Sequence, residues 1–469
     1  MTQDWTTSGP DLHLALSAAG TRHAALEDAL RAAIRDGRLA AGTRLPSTRA
    51  LAGDLGLSRG TVVEAFAQLA AEGYLDARHG AGTWVAGISP GAVAPVHAAR
   101  QLARPARFSF SPGIPDLTSF PQAAWISALR QGLRGLSASA LGYGDPRGRA
   151  DLREQLASYL ARARGVRADP ELVIVCAGFR HGLSLLARVL RAEGARTLAM
   201  EDPCVPQHRE VAAEAGLALW PLAVDGRGAR TDLLDESSGR AAVLSPAHQF
   251  PTGVVLHPER RAAAVAWATA TGGLIVEDDY DGELRYDRQP VGALQALAPD
   301  RVAYGGTASK TLAPGLRLGW LVVPPRLLDP IVSLRAAEDV HVSALEQVAL
   351  CQMLATGGYE RHVRRMRARY RGRRDRLLAL LAARAPALTP VGISAGLGLL
   401  LELPDGGPTS SHLIAEAGRR SIELFPLDTH YRDGRPPRDG VVIGYGALPE
   451  HDFEAGLAAL GDLLSDLLA

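Results

Sequence analysis

From about Phe110 onward the chain alternates short apolar runs with stretches of helical spacing. The runs are Leu172–Cys176, Thr197–Glu201, Ala241–Ser245, Leu274–Glu277, Val302–Tyr304 and Leu318–Val323. Apolar strands with helices between several of them are the pattern of a largely parallel α/β sheet covered on both sides. Such a sheet binds its ligands at the carboxyl ends of the strands. No internal repeat is visible.

The N-terminal quarter reads differently. Residues 1–20 are expected to be flexible. Leu26, Leu30 and Ile34 recur at helical spacing, and Gly37 and Gly42 then break the pattern. In RLPSTRALAGDLGLSRGTVVEAFAQLAAEGYLDARHGAGTWV, Ser47 can cap a helix that runs to Leu55, and Gly56 permits a tight turn. Ser58 can cap a third helix from Arg59 to about Glu72, and residues 74–85 read as a small hairpin. Helix, short glycine-containing turn and helix can place the second helix's N-terminus in a DNA major groove. Val62, Val63, Phe66 and Leu69 are expected to face inward, leaving Arg59, Thr61 and Glu64 outside. A helical trimer used for protein docking is the rival reading. Residues 87–108, rich in proline and arginine, read as a semi-stiff linker.

At 469 residues the chain is long enough for two or three domains, and 47% hydrophobic with 22% charged residues is a globular balance. A net charge of +1 supplies no global positive field, so a nucleic-acid partner has to be argued from a local surface. No secretory signal opens the sequence, and no apolar run approaches the ~20 residues of a membrane span. Cys176, Cys204 and Cys351 lie far apart with no metal or redox spacing. These features lead us to expect a cytoplasmic protein with no metal site and no membrane association.

Of the 51 lysines and arginines only one is a lysine, Lys310. Arginine replaces lysine well as a surface charge, but not where the amine must lose its proton and attack a carbonyl. Lys310 follows the strand VAYGG, and Asp278, 32 residues earlier, ends the strand LIVEDD, so both can meet at one rim of the sheet. Pyridoxal phosphate (PLP) needs a lysine amine for its aldehyde, a carboxylate to keep its pyridine nitrogen protonated, a hydroxyl for its phenolate oxygen, and amides, hydroxyls and an arginine for its phosphate. Lys310 is the candidate Schiff-base residue, Asp278 the pyridinium partner and Tyr280 the phenol. Gly178 and Phe179 open a helix after a strand, and Thr307, Ser309 and Arg317 flank the lysine.

Residues 21–85 resemble the DNA-binding domain of the GntR family in RLPSTRALA, LSRGTV and AEGYL. That resemblance implies DNA contacts by Arg49, Ser58, Arg59 and Thr61, phosphate contacts by Arg44 and Ser47, and a wing at Arg78 and His79. Residues from 110 to the end resemble the fold-type-I aminotransferases. The whole chain is similar to the MocR/GabR subfamily, in LGYGDPRGRADLRE, HQFPTGV, EDDYDGELRY, SKTLAPGLRLGW and RHVRRMRARY. It implies a winged helix-turn-helix (21–86) joined to an aminotransferase-like domain (109–469), with a large part at about 150–335 and a small part from 109–149 and 336–469. It further implies a transcription regulator that binds an operator in double-stranded DNA, takes PLP as cofactor and effector, and forms a head-to-tail homodimer. Such a regulator would report vitamin B6 supply.

Three positions depart from the aminotransferase pattern. Val205 stands where an aromatic would cover the cofactor ring, Phe250 where an asparagine is usual, and Val442 where an arginine would hold a substrate carboxylate. The missing arginine disfavours a working aminotransferase with a secondary DNA-binding head. The set Lys310, Asp278, Tyr280 and Arg317 disfavours an enzyme fold kept only for dimerisation. The nine arginines between Arg361 and Arg376 surround their helix, which reads as a solvated or subunit-interface helix. His248 reads as a cofactor contact or a hydrogen-bonded structural residue.

Overall fold

The computed structural model describes Leu16 and residues 21–78, 82–87, 106–286 and 291–468, and divides into two units, Met1–Arg104 and Pro105–Ala469. The expected flexible N-terminus apart from Leu16, the wing tip with His79, and residues 88–105 of the linker lie outside the described residues.

In the head, each helix starts on a side-chain cap. Thr21 opens Arg22–Arg35, Ser47 opens Thr48–Leu55 and Ser58 opens Arg59–Ala71, their hydroxyls accepting from the amides of Ala24, Ala50 and Thr61. Gly56 ends the second helix at φ +63°, a conformation that costs glycine nothing. Leu75–Arg78 pairs antiparallel with Gly82–Val85. Leu26, Leu30, Val62, Ala65, Phe66 and Leu69 close the core. One expectation is corrected: Val63 is 44% exposed. The buried residues of Arg59–Ala71 follow the i, i+3, i+4, i+7 phase from Val62, so the next residue turns about 100° away.

In the body, an eight-stranded sheet runs in the order Val173–Cys176, Gly319–Val322, Val302–Thr307, Leu274–Asp279, Ala241–Leu244, Thr197–Asp202, Ala218–Asp225, Gly228–Ala229. Gly319–Val322 is antiparallel to both neighbours, Gly228–Ala229 is antiparallel at the edge, and the other pairs are parallel. Alternate residues feed separate cores. Ile174, Met200, Val243, Val276 and Leu321 pack under the helices Phe179–Ala192 and Pro325–Glu338. Val175, Tyr304 and Trp320, and beside them Ala242 and Ile275, face the opposite layer.

In that opposite layer, helices Gln122–Arg134 and Ala344–Ala355 bring Ala128, Leu350, Met353 and Leu354 into one core with Val173 and Trp320. Their apolar faces are what cover the sheet on that side. The smaller core is built on the antiparallel sheet Thr389–Val391, Gly398–Glu402, Gly440–Gly444, Phe425–Pro426. Phe108–Ser109 joins it by pairing with Ile422–Glu423.

The arginine-rich stretch lies in the helix Gly358–Arg384, with Val363 and Met366 buried. Several of its arginines are structural staples. Arg373 is fully buried, pairs with Asp116 and Glu450, and donates to the carbonyls of Gly446 and Leu448. Arg367 donates to the Glu283 carbonyl. Arg361, Arg364, Arg365, Arg367, Arg371 and Arg376 are exposed, on the side of the helix away from its buried residues.

Candidate functional site

Strands Leu274–Asp279 and Val302–Thr307 are parallel neighbours, with Asp278 level with Gly305. Their carboxyl ends bring Asp278 and Lys310 to one rim. Each is close enough to shift the other's ionisation. Alternation gives the three acids of EDD separate duties. Glu277 accepts from the amides of Leu294 and Gln295 at 2.7 and 2.9 Å. Asp279 accepts from Arg164 at 2.6 and 3.0 Å and from the Tyr304 hydroxyl at 2.7 Å. Asp278 points to the other side of the sheet, where its Oδ1 is buried without a hydrogen-bond partner.

Burial pushes the Asp278 carboxyl well above its ordinary range, and the carboxylates of Glu201, Asp279 and Asp281 push it further. A buried acid with an open oxygen fits a cationic N–H donor, which a protonated pyridine supplies. His208 Nδ1 lies 3.8 Å from the other Asp278 oxygen, and its ring is 5.3 Å from that of Phe179. Burial pushes His208 down to about 4, so it is neutral at physiological pH. Sequence reasoning passed over His208; its only signal was its place in EDPCVPQH, close after a strand end.

Lys310 Nζ donates to the carbonyl of Gly113 at 2.6 Å. Burial lowers the lysine's pKa from its usual value, while Asp281 and Asp278 hold it up. Gly113 sits 197 residues away at φ +70°. Nothing in its neighbourhood marked it in the sequence.

Gly178, at φ +87°, opens helix Phe179–Ala192 with no side-chain cap. Its first amides are therefore open to an acceptor. Arg317 is held against this turn by donating to the Ala177 carbonyl; its backbone, at φ +53°, caps the short helix Pro314–Leu316. A Cβ on Gly178 would lie 3.5 Å from the Arg317 guanidinium. Ser309 is partly exposed beside Lys310. Thr307 differs from its expected role. It is buried, its hydroxyl lies 3.1 Å from the Leu318 carbonyl, which can only accept, and 2.9 Å from Ser309 Oγ, and it accepts from the Ser309 amide. It orients Ser309 instead of presenting a free hydroxyl. Arg317 thus lies against the uncapped start of helix Phe179–Ala192.

The Tyr280 hydroxyl lies 3.0 Å from His248 Nδ1, which is 2.8 Å from Asp281. His248 is therefore a bonded, buried residue that orients Tyr280 and Asp281. Val442 and Phe250 line a cleft with Gly113, Tyr280 and Asp281. Val442 is buried against Leu400 and Leu427, and none of the described residues lining that cleft is an arginine or a lysine. Val205 is a half-buried residue at the start of helix Pro206–Glu214, where an aromatic ring would have offered a stacking face. Among the described residues no group of His, Cys, Asp and Glu has metal-binding geometry.

In the head, Arg49, Ser58 and Arg59 are exposed at the starts of the second and third helices. Ser47 and Ser58 spend their hydroxyls on capping, and the Thr61 hydroxyl lies 2.8 Å from that of Ser58. Arg44 lies over the Trp84 ring at 5.5 Å, next to the hairpin. Arg78 ends the first hairpin strand.

Comparison with known proteins agrees with both halves. Residues 23–85 match the model of the bacterial regulatory proteins of the gntR family, and residues 110–406 match that of aminotransferase class I and II. The chain is 34% identical to the probable rhizopine catabolism regulatory protein MocR of Rhizobium meliloti, over 93% of this chain and 92% of that one. It is 33% identical to the HTH-type pyridoxine biosynthesis transcriptional regulator PdxR of Corynebacterium glutamicum, over 94% and 95%. Among solved structures, the α-aminoadipate aminotransferase LysN of Thermus thermophilus superposes with a TM-score of 0.68 at 26% identity, covering 77% of this chain and 92% of its own. A head of one kind and a body of the other, matched together along nearly the whole length of these regulators, place the chain in the MocR/GabR subfamily of GntR-type regulators, with a winged helix-turn-helix ahead of a fold-type-I aminotransferase domain.

Proposed function

We propose that this chain is a cytoplasmic transcription regulator whose head binds an operator in double-stranded DNA and whose body binds PLP at Lys310 and responds to it. The observation that carries the cofactor reading is the partnerless, buried Oδ1 of Asp278 on the same rim as the chain's single lysine. When bound, PLP supplies an aldehyde and an electron-withdrawing ring. Asp278 would hold the ring nitrogen protonated, with His208 behind it. Tyr280, steered by His248, would offer its hydroxyl to the phenolate oxygen. The uncapped amides after Gly178, with Ser309 and Arg317, would hold the phosphate. Lys310, its amine less basic than usual through burial, would reach the aldehyde.

The cleft beside Lys310 favours a sensor over an enzyme. Turnover of an amino acid requires its carboxylate to be anchored so that the reacting bond is oriented. Val442 offers no charge there, and Asp281 would repel a carboxylate. PLP itself is therefore the effector in this reading, and a relative named for control of pyridoxine biosynthesis supports it. A homodimer is part of the proposal: Ile126, Leu133, Leu141, Tyr143 and Leu345 leave apolar surface uncovered on the single chain. For PLP to switch the head, it must bind two arrangements of the dimer with different affinity.

The test is operator binding and in vitro transcription at rising PLP, with amino acids and amines added separately. A response to PLP alone that Lys310→Ala greatly weakens is expected. An added amino acid that is required, and is converted to its oxo acid at enzymatic rates, would establish the aminotransferase reading instead.

A further inference from the structure

The outer face of helix Arg59–Ala71 carries a residue that neither capping nor core packing explains. Val63 is 44% exposed, although the fully buried Val62 is its neighbour. It lies one turn after the exposed Arg59, and the exposed Glu64 follows it. Gly60, on the same turn, leaves this side open: a Cβ there would meet only Ser58 Oγ, at 3.7 Å. Thr61 is turned aside, its hydroxyl 2.8 Å from that of Ser58. The first two turns therefore present an apolar branched side chain between a guanidinium and a carboxylate, at the end of the helix that the head's architecture directs into a major groove.

In the major groove the one apolar feature of a base edge is the C5-methyl group of thymine, shared by 5-methylcytosine. A phosphate would be met by a donor, and neither Val63 nor Glu64 is one. We propose that Val63 is a specificity-determining residue that packs on a pyrimidine C5-methyl group of the operator, with Arg59 reading a neighbouring base. The inference rests on the DNA-binding reading of the head.

The test uses the full-length chain with PLP and a binding site selected from random duplex DNA. Each thymine of the half-site is replaced in turn by uracil, which removes only the methyl group. One position is expected to weaken wild-type binding about fourfold, the worth of one buried methyl group. At that position Val63→Ala should bind the thymine and uracil duplexes equally, and Val63→Ile should keep the preference. Alanine at an exposed helical position favours the helix, so the variant should fold. A second arm places cytosine and then 5-methylcytosine at the same position; the methylated base should recover affinity for wild type and not for Val63→Ala. The proposal is overturned if no thymine is sensitive to uracil, or if the sensitivity persists in Val63→Ala. Arg59→Ala, run in parallel, separates the two levels: if it weakens binding while uracil has no effect, only the Val63 assignment fails. If no duplex is selected from the random pool, the DNA-binding reading fails with it.

Discussion

Arg59 stands in water at the first turn of its helix, whereas Asp278, at the end of its strand, is 4% exposed. The contrast extends to their neighbours. Around the head's outer face the charges are solvated and act nearly independently. On and around the strand Leu274–Asp279, the carboxyls of Glu201, Glu277, Asp278, Asp279, Asp281 and Glu283 are all buried, Asp278 and Asp281 act on Lys310, and a buried guanidinium, Arg164, is paired with Asp279. In such a cluster each group sets the ionisation of the next. A surface that reads DNA can be altered one residue at a time, whereas the cofactor site is one coupled unit.

The largest effect should come from the residue at the centre of that unit. Purified protein incubated with PLP should be yellow, and borohydride should fix the cofactor to a peptide containing Lys310. Lys310→Arg should abolish fixation entirely, because a guanidinium stays protonated. A colourless protein in excess PLP would break the comparison at its root, since the buried charges would then serve no cofactor.

Next in size is the buried pair beneath the site. Arg164→Met leaves Asp279 as an unpaired charge beside Tyr304, and thermal unfolding should report a loss of about 3–5 kcal/mol. Adding Asp279→Asn should recover much of it. At the head surface, Arg31 bonds Glu72 at 3.0 Å in comparable geometry but in the open, and Arg31→Ala should cost far less. Equal losses from Arg164 and Arg31 would erase the distinction between the two environments.

Legibility in the sequence divides along the same line. The strands were readable because residues buried on both faces leave unbroken apolar runs, such as LIV before Glu277. Ala218–Asp225 was missed because it is mostly exposed or half-buried and contains Pro221. Val63 was assigned inward because two adjacent valines carry no phase by themselves; only the series from Val62 through Leu69 fixes the face. In the site, Lys310 and Asp278 could be paired because adjacent strands carry them. Gly113 and His208 arrive from elsewhere in the chain, and a backbone carbonyl has no residue type by which to recognise it. Thr307 had the right chemistry, and only its hydrogen bonds show it turned away.

A smaller effect belongs to the exposed side. If Arg59 reads a base edge, Arg59→Ala should cost ~1–3 kcal/mol of operator affinity and relax specificity at one position. If Arg49 holds a phosphate, Arg49→Ala should weaken all sequences alike and lower the salt slope by about 1. Fluorescence anisotropy at several salt concentrations separates the two. No change in either variant would return the head to the docking-module reading.

The mildest effect tests the coupled side without removing a partner. Burial pushes both Glu201 and Glu277 up to about 7. In the unfolded chain such carboxyls ionise near their ordinary ~4.3. Between pH 6 and 8 these two carboxyls therefore bind more protons in the folded body than in the unfolded chain, and the stability they contribute falls as pH rises through 7. Each carboxyl should contribute on the order of 1 kcal/mol to that loss. His208, pushed down to about 4, works the other way: the unfolded imidazole binds its proton near the usual ~6.5 while the folded one stays neutral, so its contribution is full above about pH 7 and is lost progressively as pH falls from there towards 4. Thermal unfolding without PLP, measured from pH 6 to 8, should show this decline, and Glu201→Gln should flatten part of it because the amide cannot ionise. A difference between wild type and Glu201→Gln that stays constant across the range would mean that Glu201 is already charged at pH 6. The rim would then hold separate charges, as the head does, instead of one shared set of protons.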